Sequence, residues 1–122
     1  MKIKECIARS DSLRPNTIEE ETKIRWLSEL DMSLHKTFFS KFAGAEAFFT
    51  GYKNDTSAEL LVEDAFASLY LYYISAQVDF YLADIERYNN DMMLFNQKLD
   101  AFQRDYTRTH SIRPVDFKNI MR

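Results

Sequence analysis

The chain has 122 residues, of which 46% are hydrophobic and 29% are charged, and its net charge is −3. A chain of this length has room for one hydrophobic core, so we expect a single globular domain. Two glycines and two prolines are too few for the turns of a many-stranded sheet protein, which favours helices. The longest apolar run, Leu69 to Ile74, is far shorter than a membrane-spanning helix.

The N-terminal segment and the cysteine content indicate where the protein is made. The opening MKIKEC is basic, but charged residues follow before an apolar region of signal-peptide length can form, so we expect no secretion. A single cysteine, Cys6, cannot form an internal disulfide, which favours a reducing compartment and cytosolic synthesis.

Charges are distributed unevenly along the chain. Residues 1–53 carry nine Lys or Arg and eight Asp or Glu, residues 54–86 carry none and seven, and residues 87–122 carry seven and four. The acidic middle segment argues against gripping duplex DNA there, because affinity for phosphates comes largely from clustered Lys and Arg.

Two helices are predicted in the N-terminal third. The first spans about residues 2–13 and ends at RPNT, because Pro15 disfavours helical geometry at the residue before it. Thr17 and Glu20 then match the T-x-x-E capping box at the start of a second helix, whose apolar residues recur every three or four positions. That buried stripe consists of Ile24, Leu27, Leu30, Leu34 and Phe38.

The next connection is predicted to be mostly loop. Gly44, Gly51 and the polar run KNDTS interrupt the helical pattern. Residues 47–52 and 59–62 have extended character, so a short β-hairpin is expected in the 47–62 connection.

A long third helix is predicted from Asp64, as its N-cap, to about residue 88. This helix is apolar nearly all round and is therefore expected to be buried nearly all round. A fourth helix, capped by Asn89 or Asn90, should fold back on it as an antiparallel hairpin, because few residues separate the two. The third helix has one stripe of Leu71, Ile74, Val78, Tyr81, Leu82 and Ile85 and a second of Phe66, Leu69, Tyr73 and Phe80, and the fourth helix carries Met92, Phe95, Leu99, Phe102 and Tyr106.

Together these elements predict an all-α fold, a small bundle of about four helices in which the two long ones form the hairpin. The domain is expected to span residues 1–110. Residues 111–122, which contain a break at Pro114 and end mildly basic, are expected to be a flexible C-terminal tail.

The sequence contains no recognisable catalytic or metal-binding constellation. His35 and His110 lack partners at a metal-site spacing, and Cys6 lacks the flanking sequence of a catalytic cysteine, so it is interpreted as a buried apolar residue. The carboxylates of the third helix, Asp79 among them, are assigned to helix exteriors or caps. We therefore predict no enzymatic activity, no cofactor and no metal.

Tyrosines of the third helix are the strongest candidates for an interface. A tyrosine hydroxyl needs a polar partner or water, which places tyrosine at subunit boundaries more often than in dry cores. Tyr70, Tyr72, Tyr73 and Tyr81 point in several directions around the helix, so they cannot all face one core. At least one is expected to contact a neighbouring subunit or another protein.

Seven short blocks follow one another along the chain in an order that resembles a known family. They are RPNT, KIRWLSELD, FTGY, ELLV, LYLYYISAQVD, ERYNNDMMLFN and YTRTH, between about Lys4 and His110. The series resembles the small head–tail connector proteins of tailed phages and prophages, also called head-completion or DNA-packaging adaptor proteins. One departure is that Glu63 follows ELLV where the family often has proline, which bears on where the third helix begins.

The resemblance implies a mainly helical structural protein without enzymatic activity. It implies a ring of identical subunits, commonly twelve, beneath the portal protein at the head–tail junction of the virion, made in the host bacterial cytoplasm. Such a ring extends the DNA channel, through which DNA passes without specific binding, and docks a tail-proximal completion protein. The basic tail residues Arg113, Lys118 and Arg122 are then further candidates for contact with the portal or a neighbouring subunit.

Two other functions stay open from the sequence. A small helical DNA-binding regulator needs a recognition helix rich in Arg, Lys, Asn or Gln, and the fourth helix approaches this with Asn96, Gln97 and Lys98. An enzyme would need a deep pocket that joins His35 to a carboxylate.

Overall fold

A computed structural model describes residues 1–112 of the chain. The predicted all-α bundle is confirmed. Its helices are α1 (Ile3–Leu13), α2 (Glu20–Thr37), α3 (Ser68–Tyr81) and α4 (Ile85–Thr109), with 3₁₀ turns at Phe39–Lys41 and Asp64–Phe66.

The α3–α4 hairpin forms the centre of the bundle, and α1 and α2 both pack against α3. From α3, Leu71, Ile74 and Val78 are buried, and α4 contributes Phe95 and Phe102 to the same core. Because α3 is covered by three other helices, most of its residues are buried, as its apolar sequence predicts.

An aromatic cluster joins the end of α2 to the C-terminal half of α4. The ring of Phe42 lies 4.8 Å from that of Tyr106 at nearly a right angle, and Phe38 lies 5.9 Å from Phe102. Edge-to-face pairs of this kind add to the stabilisation from burial alone. The cluster therefore fixes one end of the hairpin.

The break between α3 and α4 occurs earlier than predicted. α3 ends at Tyr81 rather than near residue 88, and α4 begins at Ile85. Its N-cap is Asp84, whose side chain accepts a hydrogen bond from the main-chain N–H of Arg87 at 3.1 Å. The predicted caps at Asn89 and Asn90 are therefore wrong, since both residues lie inside α4.

A Schellman motif ends α3 without a glycine. The N–H of Ala83 bonds to the carbonyl of Phe80 at 3.0 Å, and the N–H of Asp84 bonds to the carbonyl of Asp79 at 2.8 Å. Ala83 has a φ of 59°, the left-handed conformation that glycine normally adopts in this motif. Because no glycine marks the end of α3, the apolar pattern predicts a helix that runs on past this point to about residue 88.

Two other predicted caps are corrected. α2 begins at Glu20 with Glu19 rather than Thr17 in the N-cap position, because Asn16 makes a local turn by accepting from the N–H of Ile18 at 3.0 Å. Asp64 begins a 3₁₀ turn instead of capping α3, and its carboxylate accepts from the ammonium group of Met1 at 2.5 Å.

Among residues 1–112, the expected β-hairpin in the 47–62 connection is not formed. The second of its two segments pairs instead with the start of the chain: Ile3 donates to the carbonyl of Ala58 at 3.0 Å and Leu60 donates to that of Met1 at 2.9 Å. The start of the chain therefore pairs with residues 58–60, the segment with which residues 47–52 would have formed the hairpin.

Candidate interaction surface

Four apolar side chains around the α3–α4 turn are exposed. Phe80, Tyr81, Leu82 and Ile85 form what we call the turn patch, in which Tyr81 is 70% and Phe80 61% exposed. The sequence pattern placed all four on buried stripes, but α3 ends at Tyr81 and they lie around the turn, outside the core. Several large apolar side chains together at one place are typical of a contact surface, whereas single ones are ordinary.

The turn patch is held on a fixed backbone. Phe80 packs its ring 5.5 Å from that of Tyr88, one turn into α4. The Schellman motif and the Asp84 cap define the three residues between the helices. A surface held in place in this way loses little conformational freedom when it binds a partner.

Next to the turn patch along α3 lies an ionic cluster with two buried carboxyl groups, which the sequence did not reveal. Arg14, the C-cap of α1, donates from Nε to Asp79 Oδ1 at 3.1 Å and from Nη2 to Asp91 Oδ2 at 3.3 Å. The predicted exterior position of Asp79 is wrong, because Asp79 is 1% exposed and the end of α1 covers this polar strip of α3.

Ionisation of Asp91 is disfavoured in this cluster. Burial is the largest cause and raises the pKa of Asp91 to about 6, and the nearby Asp79 carboxyl group adds to the rise by favouring a proton on Asp91. The positive charge of Arg14 acts in the opposite direction.

Tyr70, a predicted interface residue, lies inside the core with 0% exposure. Its hydroxyl donates to Asp31 Oδ1 at 2.7 Å and accepts from the N–H of Val62 at 2.9 Å. Burial, followed by the charge of Asp31, raises the pKa of Tyr70 well above its usual value, so the hydroxyl stays neutral. These bonds within the chain meet the hydroxyl's need for polar partners.

The other three predicted tyrosines differ in exposure. Tyr73 is half-buried with its ring 5.4 Å from that of Phe95, and Tyr72 is half-buried beside Lys98 in a shallow groove. Tyr81 alone belongs to the turn patch, and it is the most exposed of the four.

The predicted tail residues Arg113, Lys118 and Arg122 lie outside the described residues. The residues just before them bond to the segment that follows α2 and its 3₁₀ turn: Ala43 donates to the carbonyl of Ser111 at 2.9 Å. This point is at the opposite end of α4 from the turn patch, and α4 has 25 residues, about 37 Å at 1.5 Å per residue.

A cavity of about 290 Å³ brings His35 near Glu46 and is otherwise lined mainly by apolar and aromatic side chains. His35 Nε2 lies 2.8 Å from the main-chain carbonyl of Glu46, not from its carboxylate. The imidazole of His35 therefore anchors the loop at Glu46. A catalytic pair would instead join the imidazole to the carboxylate.

Cys6 is fully buried in the core. Burial raises the pKa of its thiol to about 12, so the thiolate needed for nucleophilic chemistry or metal binding is strongly disfavoured. Within residues 1–112, no three His, Cys, Asp or Glu side chains are grouped so that they could hold a metal ion. The helices in this range are each too short or too polar to cross a bilayer.

Cations near the end of α4 are engaged by carboxylates of the same helix. Arg104 lies 2.9 Å from Asp100, and Arg108 lies 2.7 Å from Asp105. These pairs reduce the positive charge that the helix would offer to phosphates.

Comparisons of the chain with protein-family models, curated proteins and solved structures gave no match.

Proposed function

We propose that the chain is a structural head–tail connector of a tailed phage or prophage. In this role it forms a ring of identical subunits under the portal protein, extends the DNA channel and docks the tail-proximal completion protein. It is made in the host bacterial cytoplasm and ends in the virion, at the head–tail junction. It has no enzymatic activity and needs no cofactor.

The observation that carries this proposal is the turn patch. Phe80, Tyr81, Leu82 and Ile85 leave apolar surface in water although the same chain buries Tyr70 and Leu71 of that helix fully or nearly so. Binding a protein surface would remove this apolar area from water, at about 25 cal/mol per Å². A closed ring needs two different contact surfaces on each subunit, and the patch is suited to be one of them.

Two further observations support a structural role over DNA binding. The seven sequence blocks resemble the connector family in their order, and residues 54–86 hold no Lys or Arg. A channel lining that carries few cations lets DNA pass without holding it. The paired arginines of α4 point the same way, because Arg104 and Arg108 already contact Asp100 and Asp105.

Mixing with the portal protein of the same phage genome tests the proposal. We expect the wild-type chain to add a ring of density below the portal in negative-stain images and to co-sediment with it. The double variant Phe80→Gln/Tyr81→Gln should lose at least tenfold in affinity while its helix content is unchanged. Phe48→Gln is the matched control, because Phe48 is 82% exposed on a loop outside the turn patch.

Each result separates the candidate functions. Unchanged binding by the double variant would show that another surface makes the contact. Failure of the wild-type chain to bind the portal, together with a salt-dependent shift of labelled duplex DNA, would replace the connector proposal with the DNA-binding regulator.

A further inference from the structure

Next to the turn patch, Arg14 binds two buried carboxyl groups from different helices. Asp79 belongs to α3 and Asp91 to α4, and Arg14 lies at the end of α1. The three side chains therefore tie α1 to both arms of the hairpin. With both carboxyls ionised, this buried cluster has two negative charges against one positive charge.

One atom of the cluster lacks the partner that its burial requires. Oδ2 of Asp79 is buried and accepts no hydrogen bond from any group in the described part of the chain. A buried acceptor without a donor destabilises the fold. A proton on Asp91 would remove one negative charge, and the neighbouring Asp79 carboxylate can accept a hydrogen bond from it.

We propose that Asp79, Arg14 and Asp91 form a proton-dependent latch, in which a proton shared by the two carboxyl groups closes the turn end of the hairpin against α1. Loss of the proton leaves two carboxylates competing for one guanidinium and loosens this end. The main-chain carbonyl of Asp79, as distinct from its carboxylate, accepts from the N–H of Asp84 within the Schellman motif, and Phe80 follows Asp79 directly. The latch therefore controls how rigidly the turn patch is held. Only the consequence for partner binding rests on the proposed function.

Two charged groups close to the cluster in sequence are held in ion pairs. Asp11 of α1 contacts Lys23 of α2 at 2.7 Å, and Arg87 of α4 contacts Asp84 at 3.4 Å. These pairs are neutral as units, which leaves Asp91 as the group that titrates against Arg14 and Asp79. Since its pKa is raised from 3.8 to about 6, the folded chain holds this proton more tightly than the unfolded chain does. In the folded chain the latch is therefore closed below about pH 6 and opens as the pH rises through that value. Its contribution to stability is complete below about pH 4, near the pKa of the unfolded chain, and is lost as the pH rises through about 6.

Amide hydrogen exchange of residues 80–88 at pH 5.0 and pH 7.5 tests the latch in the full chain, after correction for the intrinsic pH dependence of exchange. In the wild type we expect exchange at least fivefold faster at pH 7.5. Asp91→Asn should remove this difference, because its amide keeps an acceptor for Arg14, supplies a donor toward Asp79 and does not titrate. Asp100→Asn, which removes an exposed partner of Arg104, is the control and should behave as the wild type.

The same pH dependence in the wild type and in Asp91→Asn would overturn the latch. If the variant does not fold, carbon-13 titration of the wild-type carboxyl groups decides: an apparent midpoint near 6 for Asp91 supports the latch, and one near 4 overturns it. Portal binding is measured separately at both pH values. If the chain shows the exchange difference but does not bind the portal, the latch proposal stands and the connector proposal fails.

Discussion

The hydroxyl of Tyr70 donates to Oδ1 of Asp31 at 2.7 Å, which joins α3 to α2 inside the core. The same carboxylate accepts hydrogen bonds from the hydroxyl of Tyr52 and, at 3.1 Å, from the N–H of Leu61. Burial raises the pKa of Asp31, while the three hydrogen bonds oppose that rise. One buried side chain thus attaches the long α2–α3 connection to two helices.

Removing one hydroxyl from this network should be costly. Tyr70→Phe keeps the ring but leaves Asp31 Oδ1 without this donor and the N–H of Val62 without its acceptor. We expect the free energy of unfolding to fall by about 2–4 kcal/mol, measured by urea denaturation. Tyr72→Phe on the half-buried face of the same helix is the control, with a change within about 0.5 kcal/mol. Equal effects would contradict the assignment of Tyr70 to the network.

Ala83 adopts a conformation that is strained for any residue with a side chain. A left-handed φ costs an L-residue about 1–2 kcal/mol, and glycine avoids most of this. We therefore expect Ala83→Gly to stabilise the chain by about 0.5–1 kcal/mol in thermal or urea unfolding. Ala101→Gly, at an exposed position inside α4, should destabilise it by about 1 kcal/mol. Destabilisation by Ala83→Gly would show that α3 does not end in this Schellman motif.

Gly51 is predicted to tolerate alanine less well than Gly44. Both have positive φ, but a Cβ at Gly51 would lie 3.3 Å from the Cβ of Ser28, whereas one at Gly44 meets nothing within 4 Å. Ser28 also accepts from the N–H of Tyr52 at 3.0 Å, so moving it disturbs the loop. We expect Gly51→Ala to cost about 2–3 kcal/mol and Gly44→Ala about 1 kcal/mol in urea unfolding. The reverse order would contradict the close packing of this loop on α2.

Cations of the C-terminal tail are predicted to contribute to partner binding. Replacing Arg113, Lys118 and Arg122 by glutamine should weaken binding to the portal or a neighbouring subunit. The binding should also depend less on salt, as measured by titration at two ionic strengths. A control with three exposed cations replaced elsewhere should retain both the affinity and its salt dependence. If both variants lose the same affinity, the effect comes from net charge in general, and the prediction of a specific role for the tail is wrong. The test variant replaces Arg113, Lys118 and Arg122, and the control replaces Arg9, Lys36 and Lys53.

Hydrophobic periodicity was sufficient to predict the all-α bundle and most of its buried faces. The stripe of α2 and the apolar surface of α3 predicted buried faces correctly, because burial of these residues is the main source of stability. Periodicity could not show that α3 ends at Tyr81. The stop depends on main-chain hydrogen bonds around Ala83, and alanine is otherwise a strong helix former.

Polar pairings between distant parts of the chain were also beyond prediction. Arg14 and Asp91 are 77 positions apart, and nothing in the local pattern connects them. The turn patch was missed for the same reason as the helix end, since Leu82 and Ile85 continue the buried stripe until the chain turns. An Asp followed by an apolar residue and Glu, as at Asp84, was the one local indication that a new helix begins there.

The fully enclosed thiol of Cys6 has a practical consequence for measurement. A disulfide reagent added to the native protein can react with this sulfur only when the core around α1 opens. As the sole cysteine of the chain, it would report opening of the fold through one modification per molecule, without any engineered label. The rate of that modification, followed by mass spectrometry in the presence and absence of a binding partner, gives a direct reading of how much assembly protects the folded subunit.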